Sequence, residues 1–124
     1  SLGTIGTLSI GNDTHNITVT TNARNGYTCM AVEDGNLRSG GNDINDVGDG
    51  TVNAGAEEYG IGCTGTDCDL TGDNALSGTP LQVASNIGRV TASATAVTYK
   101  AAASSATVGT TYAHLVTFTC TGDF

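Results

Sequence analysis

Tyr112-Ala113-His114-Leu115-Val116-Thr117-Phe118-Thr119-Cys120 reads as a β-strand, and its reading frames the rest of the chain. Tyr112, His114, Val116, Phe118 and Cys120 fall in one phase of a two-residue period, with Thr117 and Thr119 in the other. Successive strand side chains point to opposite faces, so this run presents an apolar face and a hydroxyl face. The same alternation recurs upstream. Ile17 and Val19 alternate with Asn16, Thr18 and Thr20, and that strand ends at the turn-like stretch Asn22 to Gly26. Tyr27 to Val32 is a third strand, closed by Asp34-Gly35. Glu58 to Cys63, Leu81 to Ala84, Arg89 to Ala96 and Val97 to Ala101 are further candidates, and Ala101 to Ala106 reads as a loop. Helical periodicity is nearly absent, and glycine, Asn and Asp punctuate the chain at short intervals. Six to nine short strands with frequent turns predict an all-β fold, an antiparallel β-sandwich of Ig-like or jelly-roll-like type.

The chain has 124 residues, which fits one domain, taken as residues 1–124. Its four cysteines, Cys29, Cys63, Cys68 and Cys120, sit in a chain with one lysine, one proline and no tryptophan. An even cysteine count among Thr, Gly, Asn and Asp points to an oxidised, secreted β-domain. With only two Phe and four Tyr the core is lean, and a disulfide closing a long loop adds roughly 3–5 kcal/mol in the chain-entropy model. Cys63-Thr64-Gly65-Thr66-Asp67-Cys68 suits a closed hairpin, while Cys29 and Cys120 share the apolar phase of their strands. Pairing 63–68 with 29–120 is favoured on these grounds. The alternative of 29–63 with 68–120 stays open, because Cys63 is in phase with Tyr59 and Ile61 and four cysteines allow three connectivities. Zinc would call for tight C-x2-C pairs, which this spacing does not supply.

The formal charge of −8, with Arg24, Arg38, Arg89 and Lys100 the only cations, argues against nucleic acid as a partner. It would also be repelled by anionic lipid. No apolar run approaches the ~18 residues of a spanning helix, so membrane insertion is not expected. The sequence starts at Ser1 without an initiating Met or a signal peptide, which reads as a product whose export signal has been removed. An extracellular or cell-surface location is therefore expected.

Ten of the twelve acidic residues lie between Glu33 and Asp73, with Arg38 the sole cation among them. This stretch is expected to be irregular and largely solvent-facing. Calcium is the functional alternative, with Asp43, Asn45, Asp46 and Asp49 as candidate ligands, but Val47 occupies the fifth position of the nearest EF-hand-like run. His15 and His114 are the only histidines, and His114 shares its strand face with Val116 and Phe118, as a structural histidine would. No nucleophile elbow, metal-protease helix or phosphate-cradling loop is present, so neither a catalytic residue nor a cofactor is assigned. Asn12-Asp13-Thr14 and Asn16-Ile17-Thr18 both match the N-glycosylation pattern, marking Asn12 and Asn16. Lys100 reads as an ordinary strand lysine; a crosslink to an Asn beside a carboxylate is its sharper alternative.

Residues 1–10 read as a strand beginning at the first residue. Leu2, Thr4, Gly6, Leu8 and Ile10 share one phase, and Ile5 breaks the other. Such a strand either opens the subunit's own sheet or is donated to a neighbour, with Leu2, Leu8 and Ile10 filling a groove there.

Several segments together carry a family resemblance: Thr20 to Tyr27, Glu33 to Leu37, Ala56 to Ile61, Thr95 to Tyr99, and Thr110 to Phe124. The chain resembles a family of secreted, Thr-rich β-sandwich proteins of bacterial cell surfaces, encountered especially in ultrasmall candidate-phyla bacteria. Cys29 and Cys120 depart from the family pattern, which has Val or Thr there. The resemblance implies location and fold more than activity. The expectation is an extracellular structural protein without enzymatic activity, a self-assembling subunit of a filament or pilus-like fibre built by strand donation. An adhesive or carbohydrate-binding domain contacting surface glycans is the alternative.

Overall fold

The structure, a computed structural model, describes all 124 residues. Eight strands run in chain order: β1 Ile10–Thr21, β2 Tyr27–Glu33, β3 Leu37–Ser39, β4 Asn42–Ile44, β5 Glu58–Thr64, β6 Leu81–Asn86, β7 Val90–Ala102 and β8 Val116–Gly122. They form two three-stranded sheets, β1-β7-β5 and β6-β2-β8, and a small β3-β4 hairpin. All strand pairs are antiparallel. The fold is thus the all-β antiparallel sandwich that the alternation implies.

Each connection between main strands passes from one sheet to the other. The inward face follows from the two-residue period. In β2, Tyr27, Cys29, Ala31 and Glu33 are buried while Thr28, Met30 and Val32 are half-buried. Facing them from the other sheet are Tyr59 and Ile61 of β5 and Thr95, Val97 and Ala101 of β7. The main core joins Ala31, Tyr59, Ile61, Val83, Val97 and Ala101 with Leu37 and Ile44 of the hairpin and Leu76. Most of these are small or β-branched residues, consistent with a core poor in aromatic area.

Two disulfides staple this core. Cys29 joins Cys120 across the β2–β8 ladder, where the two residues stand directly opposite, and Cys63 joins Cys68 with Cα atoms 5.8 Å apart. No cysteine is free. A chain folded around two disulfides belongs in a non-reducing environment. No helix is long and apolar enough to cross a membrane.

Four readings of the sequence need correction. Residues Tyr112 to Leu115 lie outside β8, because the β2 partner ends at Glu33, opposite Val116. Ala113 instead makes an isolated bridge to Arg38. The two candidate strands from Arg89 to Ala96 and Val97 to Ala101 are one long strand, β7, which starts at Val90, runs through Ala102 and is paired on both sides. Residues 1–9 join no sheet, and Ile10 is the first residue of β1, opposite Ala102. The acidic stretch is not uniformly solvated either, since Glu33, Asp67 and Asp73 are buried.

Two of these buried carboxylates, Asp67 and Asp73, are held by partners distant in the sequence. Tyr27 and Asn86 each donate to Asp67 at 2.8 Å, and Ser93 donates to it as well. These bonds favour the charged form and hold Asp67 below the usual carboxylate range, with Ser93 the strongest influence. Asp73 accepts the Val52 amide at 2.9 Å and pairs with Lys100 Nζ at 2.9 Å. Lys100 is therefore half of an ion pair on the outer side of the β1-β7-β5 sheet.

Candidate functional site

The two long sides of the sandwich are closed differently. On the β5–β6 side, the loop carrying Cys68 bridges the sheets. Asp69 N donates to Val83 O at 2.9 Å and Ser85 N to Asp67 O at 3.0 Å, and the Cys63–Cys68 disulfide pins the loop's ends together. On the opposite side, β1 pairs only with β7 and β8 only with β2, so both present a free edge to the same side. A cleft lies between these edges. Unpaired N–H and C=O groups along a strand edge are a ready template for another strand.

The inward residues of β1 and β8 line this cleft. Asp13, His15, Ile17 and Val19 stand opposite Tyr99, Val97, Thr95 and Ser93 of β7 and share their face. His15 stacks on Tyr99, with centroids 5.3 Å apart, and meets Phe118 edge-on at 5.5 Å. It reaches across the gap between β1 and β8 while itself remaining exposed. Beyond it, Ile17, Val19, Cys120 and Gly122 border a hollow of about 330 Å³. At the other end a larger cavity of about 830 Å³ is bounded by Tyr59, Tyr99, Tyr112, His114, Val116 and residues 1–7. Burial pushes the Tyr99 hydroxyl up to about 12, with the Asp13 charge adding to it. Apolar side chains are thus left half-covered where a complete sandwich would bury them.

Residues 1–9 lie at the wide end of the cleft. Leu2 and Ile5 pack against the main core. Leu8, which the sequence places with Leu2, is 89% exposed. Ile10 points to the outer side of its sheet and is exposed. The burial of Ile5 goes against its phase; a spacing of three between Leu2 and Ile5 follows no strand period, and the alternation gave no signal for it.

The remaining sequence candidates separate. Asp43, Asn45, Asp46 and Asp49 do not converge. Asp43 stands opposite Arg38 in the hairpin, Asn45 donates to Glu57, and Asp49 accepts the Thr51 amide, whereas Asp46 turns toward Glu33 and His114. No group of three or more His, Cys, Asp or Glu side chains is arranged to hold a metal ion. Asn12 and Asn16 are both exposed on the outward face of β1.

The His114 residue is half-buried and its side chain is 7% exposed, with Nδ1 3.1 Å from Gly35 O and Nε2 3.1 Å from the Tyr59 hydroxyl. Both ring nitrogens are engaged, as in a structural histidine. Glu33 lies beside it, Oε2 being 3.2 Å from Nδ1, and this oxygen has no hydrogen-bond partner. Burial, with Asp46 and Asp34 nearby, raises the Glu33 carboxyl to about 7 against the opposing pull of Arg38. An acid at a strand end before Asp34-Gly35 resembles an exposed turn residue, so the strand alternation does not mark this buried group.

No protein-family model, curated protein or solved structure matches this chain.

Proposed function

We propose that the protein is an extracellular structural subunit of a surface filament or pilus-like fibre, assembled by β-strand donation. The open cleft between β1 and β8 carries this reading, because two free edges and a half-covered apolar lining await one more strand. The donor is the segment Ser1–Ser9. It belongs to no ladder, and its nine residues extend to about 30 Å, enough to run the length of seven-residue β8 at ~3.3 Å per residue. Leu2, Thr4, Gly6 and Leu8 would point into the neighbour's cleft, where each buried Leu contributes roughly 1.5–3 kcal/mol. Main-chain bonds to a free edge would supply the rest. The contact is heterologous and open-ended, so it propagates into fibres. The family resemblance and the disulfides point toward the same extracellular setting.

Deleting Ser1–Ser9 should leave a folded subunit that does not polymerise, and sedimentation of the deletion against the intact chain reads this directly. An intact chain that stays monomeric at high concentration would overturn the reading.

A further inference from the structure

Resting on the filament reading, we propose that Ser1–Gly6 is also an intramolecular plug, which blocks the subunit's own cleft until an incoming strand displaces it. Ile5 sits directly on the backbone of Gly11, at the start of β1. A Cβ at Gly11 would lie 2.6 Å from Ile5 Cγ1 and 2.8 Å from the Leu2 carbonyl oxygen. The seat therefore exists only because residue 11 is glycine. It lies at the wide end of the cleft, where Tyr99 and Val116 also line the cavity. A strand running along the whole cleft must take this space.

The plug is built to leave. No backbone hydrogen bond ties residues 1–9 to the rest of the chain; the one such bond there, Ser9 N to Gly6 O at 3.2 Å, is internal. Attachment rests on two half-buried side chains, Leu2 and Ile5, and on one solvent-exposed ion pair between the Ser1 amino group and Asp13 of β1. A donated strand would add a main-chain ladder to similar apolar contacts, so exchange runs toward the assembled form.

The plug and the donor share Leu2 but differ at Ile5 and Leu8. Ile5 anchors the plug, but in an extended strand it falls in the phase opposite to Leu2 and Leu8 and would face away from the cleft. Leu8 has 89% of its surface exposed in the subunit, yet would be buried on donation. Substitutions at the two positions should therefore act in opposite directions.

The test compares the intact chain with Ile5→Ser and Leu8→Asp, reading thermolysin cleavage at Leu2 in the monomer and the lag before light scattering rises. Ile5→Ser should raise the cleavage rate on the order of tenfold, as loss of about half the transfer energy of an isoleucine implies, and shorten the lag. Leu8→Asp should leave cleavage unchanged and abolish assembly. Should Ile5→Ser impair folding, Gly11→Ala removes the same seat by steric conflict and should give the same two changes. Faster cleavage with an unchanged or longer lag would overturn the plug while leaving the filament reading intact. Absence of assembly by the intact chain and both plug variants would overturn the filament reading, and the plug with it.

Discussion

Cys29 and Cys120 stand directly opposite each other in the β2–β8 ladder, yet Cys29 is fully buried and Cys120 is exposed. The difference arises because Cys120 lies on the strand that forms one lip of the cleft, where no further strand covers the inward face. One crosslink thus ties the closed interior to the open side. Thiol attack needs access to a sulfur. The Cys29–Cys120 bond should accordingly be reduced by dithiothreitol in the free subunit and protected once the cleft is filled. Mass spectrometry of alkylated protein before and after assembly would show this, and equal reduction rates in both states would argue against strand filling at Cys120.

The same bond should dominate the stabilisation from crosslinks. It spans 91 residues of sequence, against 5 for Cys63–Cys68. Chain entropy gives about 4–5 kcal/mol for the long loop and about 2 kcal/mol for the short one. Denaturant unfolding of Cys29→Ala/Cys120→Ala should therefore show roughly twice the loss seen for Cys63→Ala/Cys68→Ala. Equal losses would contradict the loop-length account.

Asp67 should be the most sensitive carboxylate. Its removal in Asp67→Ala leaves the buried Tyr27 hydroxyl without its acceptor, at a cost of about 2–3 kcal/mol in chemical denaturation. Because its folded-state pKa lies below the ordinary value, its contribution is present above the unfolded pKa of about 3.9 and disappears as pH falls through the lower folded value. The wild type should lose this increment in strong acid, and the variant should not.

Glu33 should behave in the opposite sense. Its pKa is about 7 in the folded state, raised from 4.5. The folded protein then binds more protons than the unfolded chain between these values, so this group's contribution falls as pH rises from about 4.5 to 7. Glu33→Gln should flatten that part of the stability profile and stabilise the protein at pH 8 by on the order of 1–3 kcal/mol. A variant with the wild-type slope across this window would show that Glu33 does not titrate there.

The fold was legible where a strand has one dry face and one wet face. The alternations of Tyr27 to Val32 and Val116 to Cys120 marked both β2 and β8 and the side each buries. Strand ends were less legible because a ladder stops where its partner stops. Tyr112 and His114 continue the β8 alternation, but β2 has already turned at Asp34. The buried acids were hidden for a related reason. Asp67 depends on Tyr27, Asn86 and Ser93, which lie 40, 19 and 26 residues away. The cleft itself left no local mark, since it arises from which edges remain unpaired. The seat of Ile5 on Gly11 was equally invisible: a glycine that admits a side chain looks like any other.

Negative-stain electron microscopy of the intact chain at high concentration tests strand donation most directly. Strand donation predicts unbranched fibres with a subunit repeat of ~35 Å, the diameter of a domain this size, and their disappearance on Leu8→Asp. Isolated particles of single-subunit size in the intact chain, or fibres undiminished by Leu8→Asp, would contradict it.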